Sequence, residues 1–208
     1  MMRKNKILVV LACAAVLLTA CRTPEEETQT HAFAEETVIE TDFSHRLIQA
    51  DSFAEEKRWE EAYKLYSELQ RDADDPAACR AIQLKTANAL FMLGRHSAAL
   101  AALAPMPELP GSLHDAKKLA LASRILQKMN GKPEHVEALL EIALDNSFEG
   151  IEADLFRANG YAELGRVYFA NSKNARAAKC FEYASDLFRA LDDKEQAETC
   201  RHIAEYLK

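Results

Sequence analysis

A small residue answered by another twelve positions later recurs along this chain, and it restricts the possible folds more than any other feature. Gly165 is followed by Ala177, Ala50 by Ala62 and Ala87 by Ala99. Two antiparallel helices joined by a short turn approach most closely where their side chains are small, and larger neighbours fill the space on either side. Tyr168 and Phe181 are those neighbours around Gly165, with "ANSKNA" (170–175) as the turn. Phe53, Trp59 and Tyr66 serve the first unit, and Leu90, Gly94 and Leu103 the second. In a weaker unit Ser123 and Leu126 are answered by Ala138, a spacing of 15, because "NGKPEH" (130–135) lengthens the turn. Ala62, Ala99, Ala138 and Ala177 then step by 37, 39 and 39 residues. Six glycines and six prolines among 208 residues, with abundant Ala, Leu, Glu and Lys, favour helix throughout.

The clearest unit reads Tyr161-x2-Leu164-Gly165-x2-Tyr168, then Ala177-x3-Phe181-x2-Ala184. It resembles the tetratricopeptide repeat (TPR), with Tyr161 where that family prefers tryptophan or another large residue. The resemblance covers 43–190 and implies an all-α fold, a right-handed solenoid of about four TPR-like helix pairs. The family period is about 34 residues, so the longer steps imply longer loops between repeats, such as "APMPELPGS" (104–112). The proline that usually closes a repeat is offset at Pro76, multiplied at Pro105, Pro107 and Pro110, and absent after 184. The last segment (192–208) starts a helix at Asp192 or Asp193. Its apolar face is Ala197, Cys200, Ala204 and Leu207, and its polar outer side carries Glu195, Glu198, Arg201, Glu205 and Lys208. Stacked repeats need such a C-terminal capping helix.

The start of the chain addresses location. Arg3, Lys4 and Lys6 precede an uncharged run, "ILVVLACAAVLLTA" (7–20), too short for the roughly 20 residues that span a bilayer. Leu18-Thr19-Ala20-Cys21 resembles a bacterial lipobox. The resemblance implies a lipoprotein signal peptide (1–20), cleavage after Ala20 and fatty acylation of Cys21. Acyl chains contribute about 0.8 kcal/mol per buried methylene, so they anchor a chain without a spanning helix. Residues 21–41 are acidic and poor in large apolar side chains, a flexible tether with a reach of roughly 25 Å, ahead of a helical-repeat domain at 42–208. Arg22, unlike the aspartate of an inner-membrane retention signal, implies the outer rather than the inner membrane, with the domain facing the periplasm.

Loss of residues 1–20 takes away three basic side chains and no acid, leaving 23 against 33 and a net charge of −10. That balance argues against non-specific nucleic-acid binding, since phosphate contact needs a basic surface, and no nucleic-acid partner is expected. Cys79, Cys180 and Cys200 form no CxxC pair. Either all three are buried free thiols or one disulfide forms, best placed as Cys180–Cys200. The six histidines are scattered without metal-ligand spacing, and no nucleophile elbow or phosphate-binding glycine loop exists. "DADD" (72–75) lacks the glycine and terminal glutamate of a calcium loop, and reads as the polar end of a helix before Pro76 opens the next. The sequence thus points to no enzyme, no cofactor and no metal.

Function then rests on surface. In the TPR family the first helices of successive repeats line a concave groove, and residues one position after the small one tend to face it. Here these are Asp51, Asn88, Arg124 and Arg166. Lys85, Gln127 and Lys128 flank them, and Phe91 and Phe169 add apolar contact. A basic stripe in an acidic chain would select acidic segments or a free carboxylate through bidentate arginine contacts. The dicarboxylate clamp of the family needs Lys-x3-Asn, which Leu84-x3-Asn88 lacks. These features imply a membrane-anchored interaction scaffold recruiting other envelope proteins. In plan it resembles the lipoprotein of the outer-membrane β-barrel assembly machine. An accessory protein docking on a solute transport or binding partner is the other class.

Overall fold

The computed structural model describes residues 42–208. The expected signal peptide, the lipid-bearing Cys21 and the tether up to residue 41 lie outside the described residues. The chain divides into two compact units, 1–48 and 49–208. Within the described part of the first, Arg46 sits 3.9 Å from Asp42 on a helical turn. Among the described residues there are nine helices and no strand. They are α1 (42–55), α2 (Trp59–Asp72), α3 (Pro76–Met92), α4 (His96–Ala102), α5 (Leu113–Lys128), α6 (Pro133–Leu144), α7 (Ile151–Ala170), α8 (Asn174–Ala190) and α9 (Lys194–Tyr206). From α2 onward each helix packs on the next, and α3, α5 and α7 also touch in succession.

One device ends five of these helices. Lys57, Gly94, Asn130, Ser172 and Asp192 have φ of 62, 74, 56, 60 and 61°. The next residue donates its N–H back five positions: Arg58 to Phe53 O, Arg95 to Leu90 O, Gly131 to Leu126 O, Lys173 to Tyr168 O and Asp193 to Phe188 O, all at 2.8–2.9 Å. This Schellman closure satisfies carbonyls that the helix end leaves open and reverses the chain in two or three residues. Seven positions before each left-handed residue stands a small buried one: Ala50, Ala87, Ser123, Gly165 and Ser185. Five positions after four of them, all but Asn130, stands a buried alanine: Ala62, Ala99, Ala177 and Ala197. The twelve-residue spacing is therefore seven residues of helix before a left-handed hinge and five after it. The α8–α9 connection is a further copy of the same hinge, which joins the capping helix as a repeat's own second helix is joined.

The third unit departs from the sequence reading. Ala138 is exposed on α6, so it does not face Ser123. Val136 takes the close position instead, and its carbonyl accepts the Ser123 hydroxyl at 3.0 Å. Ser185 makes the equivalent bond to Ala197 O at 2.8 Å. The turn after Asn130 is longer by one residue, Gly131, not by three. A Cβ at Gly131 would come 2.9 Å from Leu126 O, which explains the glycine. Steps between second-helix contact positions (62, 99, 136, 177) become 37, 37 and 41. The proline-rich loop does not lengthen its repeat either: it replaces the second half of α4, which has 7 residues against 14 in α2. Gln83 Nε2 and Lys118 Nζ hold its Ala104 and Pro105 carbonyls at 3.0 and 2.9 Å.

Helix starts follow the sequence closely. Asp75 accepts from the amides of Ala77 and Ala78, with Pro76 in the first helical position. Ser112 caps α5, and Asp193, not Asp192, caps α9. Two buried clusters run between the helices. One joins α3, α4 and α5 through Leu90, Phe91, Leu103 and Ile125. The other joins α6 to α9 through Leu140, Leu164, Phe181 and Phe188. Gly165 belongs to the second: a Cβ there would lie 2.9–3.1 Å from the Phe181 ring.

Candidate functional site

Helices α3, α5 and α7 form one side of a trough. A cavity of about 360 Å³ opens in it, bounded by Leu84, Lys85 and Asn88 of α3 and by Lys117, Ala120, Leu121 and Arg124 of α5. Leu140 of α6 and Phe156, Asn159, Gly160 and Glu163 of α7 complete its lining. On α5 and α7 the lining residues fall at i, i+3, i+4 and i+7, one helix face each. Gly160 lets α7 approach α6, since a Cβ there would sit 2.5 Å from Leu144 Cδ2. A second cavity of about 370 Å³ is bounded by Asp51, Ala54, Glu55, Trp59, Tyr66, Lys85 and Asn88. Lys85 and Asn88 line both, so the cavities are adjoining chambers of one trough.

The charges are arranged, not merely numerous. Lys85 Nζ lies 2.7 Å from Asp51 Oδ1, which also accepts the Tyr66 hydroxyl at 2.6 Å. Burial and then this bond to a carboxylate push the Tyr66 phenol well above its ordinary range. Arg124 Nε stands 3.5 Å from Glu163 Oε1, with its guanidinium 5.2 Å from the centre of the Phe91 ring. Burial raises the Glu163 carboxyl, and the opposing pull of Arg124 and Arg166 does not overcome it. Lys117 Nζ pairs with Glu152 at 2.5 Å across α5 and α7.

The expected groove residues separate into two groups. Lys85, Asn88 and Arg124 come together, with Asp51 at the far end. Lys128, Gln127, Arg166 and Phe169 are exposed and do not line either chamber. Phe91 is buried beneath Arg124, not offered to a partner. The register slips on α7: the residue meeting Arg124 is Glu163, about one turn before Arg166. Lys117, Phe156, Asn159, Gly160 and Glu163 escaped the sequence reading. The i, i+3, i+4, i+7 stripe ending at Arg124 would have found Lys117, but no local signal fixes the slip on α7.

Cys79, Cys180 and Cys200 are free thiols in this structure, Cys180 and Cys200 buried and Cys79 only half-buried. Burial pushes the Cys180 thiol up to about 11, far from a reactive thiolate. Among the described residues no group of three or more side chains could hold a metal ion, and no helix is long and apolar enough to cross a membrane.

No family model and no curated protein matches the sequence. Solved structures do match. BtubC (BKLC) from P. vanneervenii is similar at a TM-score of 0.59 and 19% identity, covering 88% of this chain and 85% of its own. A putative kinesin light chain of Podosopora anserina with nearly identical TPR-like repeats is similar at 0.52 and 16%, covering 80% and 94%. At such identities the likeness is one of fold alone, and that fold is an all-helical, TPR-like solenoid.

Proposed function

We infer that this chain is a membrane-anchored scaffold of a bacterial envelope, held by a lipid on Cys21 and docking a partner protein along the α3–α5–α7 trough. The general part, a protein-binding helical-repeat scaffold, is supported by the TPR-like fold. The observation that carries the site is the trough, where Lys85, Asn88 and Arg124 from successive first helices meet an apolar wall of Leu84, Leu121 and Phe156. An apolar surface with a few converging polar groups is what recognition of a protein segment needs. The lipobox and the acidic tether support the envelope setting and the periplasmic orientation. A photo-cross-linking amino acid at Asn159, inside the trough, should capture partner proteins in cells, and one at Lys179, exposed on α8, should not. Equal capture at both positions removes the trough from this reading. The identity of the captured protein chooses between a β-barrel assembly component and a solute-binding or transport partner. Cys21→Ser should release the protein from membranes, and retention as an integral species of mature size rejects the lipid anchor.

A further inference from the structure

The two chambers differ in charge, and the difference has a direction along the trough. In the chamber beside Trp59, Asp51 is already bonded to Lys85 and Tyr66. Glu55 is exposed there and makes no ion pair among the described residues. That end therefore offers a carboxylate beside an indole ring, which suits an incoming ammonium or guanidinium. In the chamber beside Phe156 the lining carries Lys85, Lys117 and Arg124 against Glu163 alone, and of the three cations only Lys85 is tied to the other chamber, through Asp51. Glu152, the partner of Lys117, is 75% exposed and so holds it weakly. Arg124 meets Glu163 through Nε at 3.5 Å, while its terminal nitrogens make no hydrogen bond among the described residues. They remain available for a carboxylate. Leu84, Leu121 and Phe156 give this same chamber an apolar wall, and Asn88 and Lys85, the latter bonded to Asp51, stand where the two chambers join.

Resting on the trough reading above, we propose that the occupant is an extended protein segment of fixed polarity: a basic side chain at Glu55 and Trp59, an apolar side chain against Leu121 and Phe156, and a carboxylate at Arg124. Neighbouring helices lie about 8–10 Å apart, so the two chamber centres are separated by roughly 10–15 Å. An extended chain rises about 3.3 Å per residue, which places the basic and apolar side chains about three to four residues apart. A segment laid in reverse puts its acid beside Glu55 and its base beside Arg124, and like charges then oppose it at both ends. Charge order thus selects direction as well as identity.

The test is selection of a randomised dodecapeptide library on the purified full chain, with the binders mapped by photo-cross-linking and repeated on two variants. The enriched peptides should share a basic residue, an apolar residue three to four positions away and an acidic residue next to it, and they should cross-link from position 159. Arg124→Glu should weaken them at least tenfold and select peptides in which the acid is replaced by a base. Glu55→Lys should abolish the preference at the basic position alone. Both positions are exposed, so circular dichroism should show unchanged helicity. Binders that map to the trough but lack the ordered pattern, or keep it in both variants, overturn the polarity and leave the scaffold reading standing. Binders that map elsewhere, or no binders, overturn both.

Discussion

The hinge residues carry unequal strain for the same geometry. Only Gly94 among the five can adopt a positive φ without cost, whereas Lys57, Asn130, Ser172 and Asp192 bring a Cβ into the left-handed region. Ser172→Gly should therefore stabilise the protein by roughly 0.5 kcal/mol, the left-handed penalty of about 1 kcal/mol being partly offset by the entropy of the unfolded glycine. Gly94→Ala should cost about 1 kcal/mol, although nothing lies within 4 Å of its added Cβ, because the penalty is conformational. Urea unfolding of the two variants reads both signs, and a loss at Ser172→Gly would refute the strain account. Gly165 is small for the other reason, contact. Gly165→Leu drives a side chain into the Phe181 ring and should cost about 1–3 kcal/mol or more. At roughly 2–4 °C per kcal/mol for a domain of this size, a melting temperature within a degree of wild type would rule the contact out.

Between elements, neighbouring repeats are stitched by polar pairs about one repeat apart in sequence. Asp51 meets Lys85, Glu60 meets Arg95, Lys117 meets Glu152, and Glu137 meets Lys173. Most are exposed and worth about 0–1 kcal/mol. Glu137 on α6 is the exception, since it is buried and accepts from Lys173 Nζ at 2.5 Å and Asn171 Nδ2 at 2.7 Å. Burial alone would raise its carboxyl, but the ammonium and the amide together outweigh it and leave the net shift downward. A group lowered on folding contributes stability that is full above its unfolded value, 4.5 here, and lost as pH falls through the folded value. Glu137→Gln should thus narrow its stability deficit relative to wild type as pH is lowered from 7 to below 4, measured as urea midpoints. A deficit unchanged across that range would mean that Glu137 titrates normally. Lys173→Ala, which leaves the buried carboxylate short of its charged partner, should cost about 1–3 kcal/mol at pH 7.

Over residues 49–208 the two apolar clusters make stability a sum of neighbour contacts, as in other stacked-repeat arrays. The end helix then matters more than its length suggests. Ala197, Cys200 and Ala204 of α9 cover the cluster that includes Phe181, Ala184 and Phe188. A chain ending at Leu191 should melt about 5–15 °C lower, equivalent to several kcal/mol at about 2–4 °C per kcal/mol, and should associate through the uncovered face. A truncated chain that stays monodisperse with an unchanged melting temperature by light scattering and circular dichroism would show that α9 caps nothing.

The sequence by itself determined the helical class, the pairing of helices and most close contacts. Spacing between small residues is a local property, and seven residues before a hinge plus five after it leaves a fixed trace wherever the hinge recurs. It determined the capping helix and the start at Pro76 for the same reason, since caps are written within three or four residues, and it left the start of α9 between Asp192 and Asp193 for the structure to choose. Tertiary structure alone decided the third unit, where Val136 and not Ala138 meets Ser123. One extra residue in a turn rotates the following helix by about 100°, and periodicity within α6 cannot reveal how far it has rotated. It also decided the trough. Lys85, Asn88 and Arg124 could be found by counting from their own small residues. The far wall could not be, because α7 presents Glu163 in place of Arg166, and which turn of one helix lies opposite another is set by packing across residues far apart in the chain.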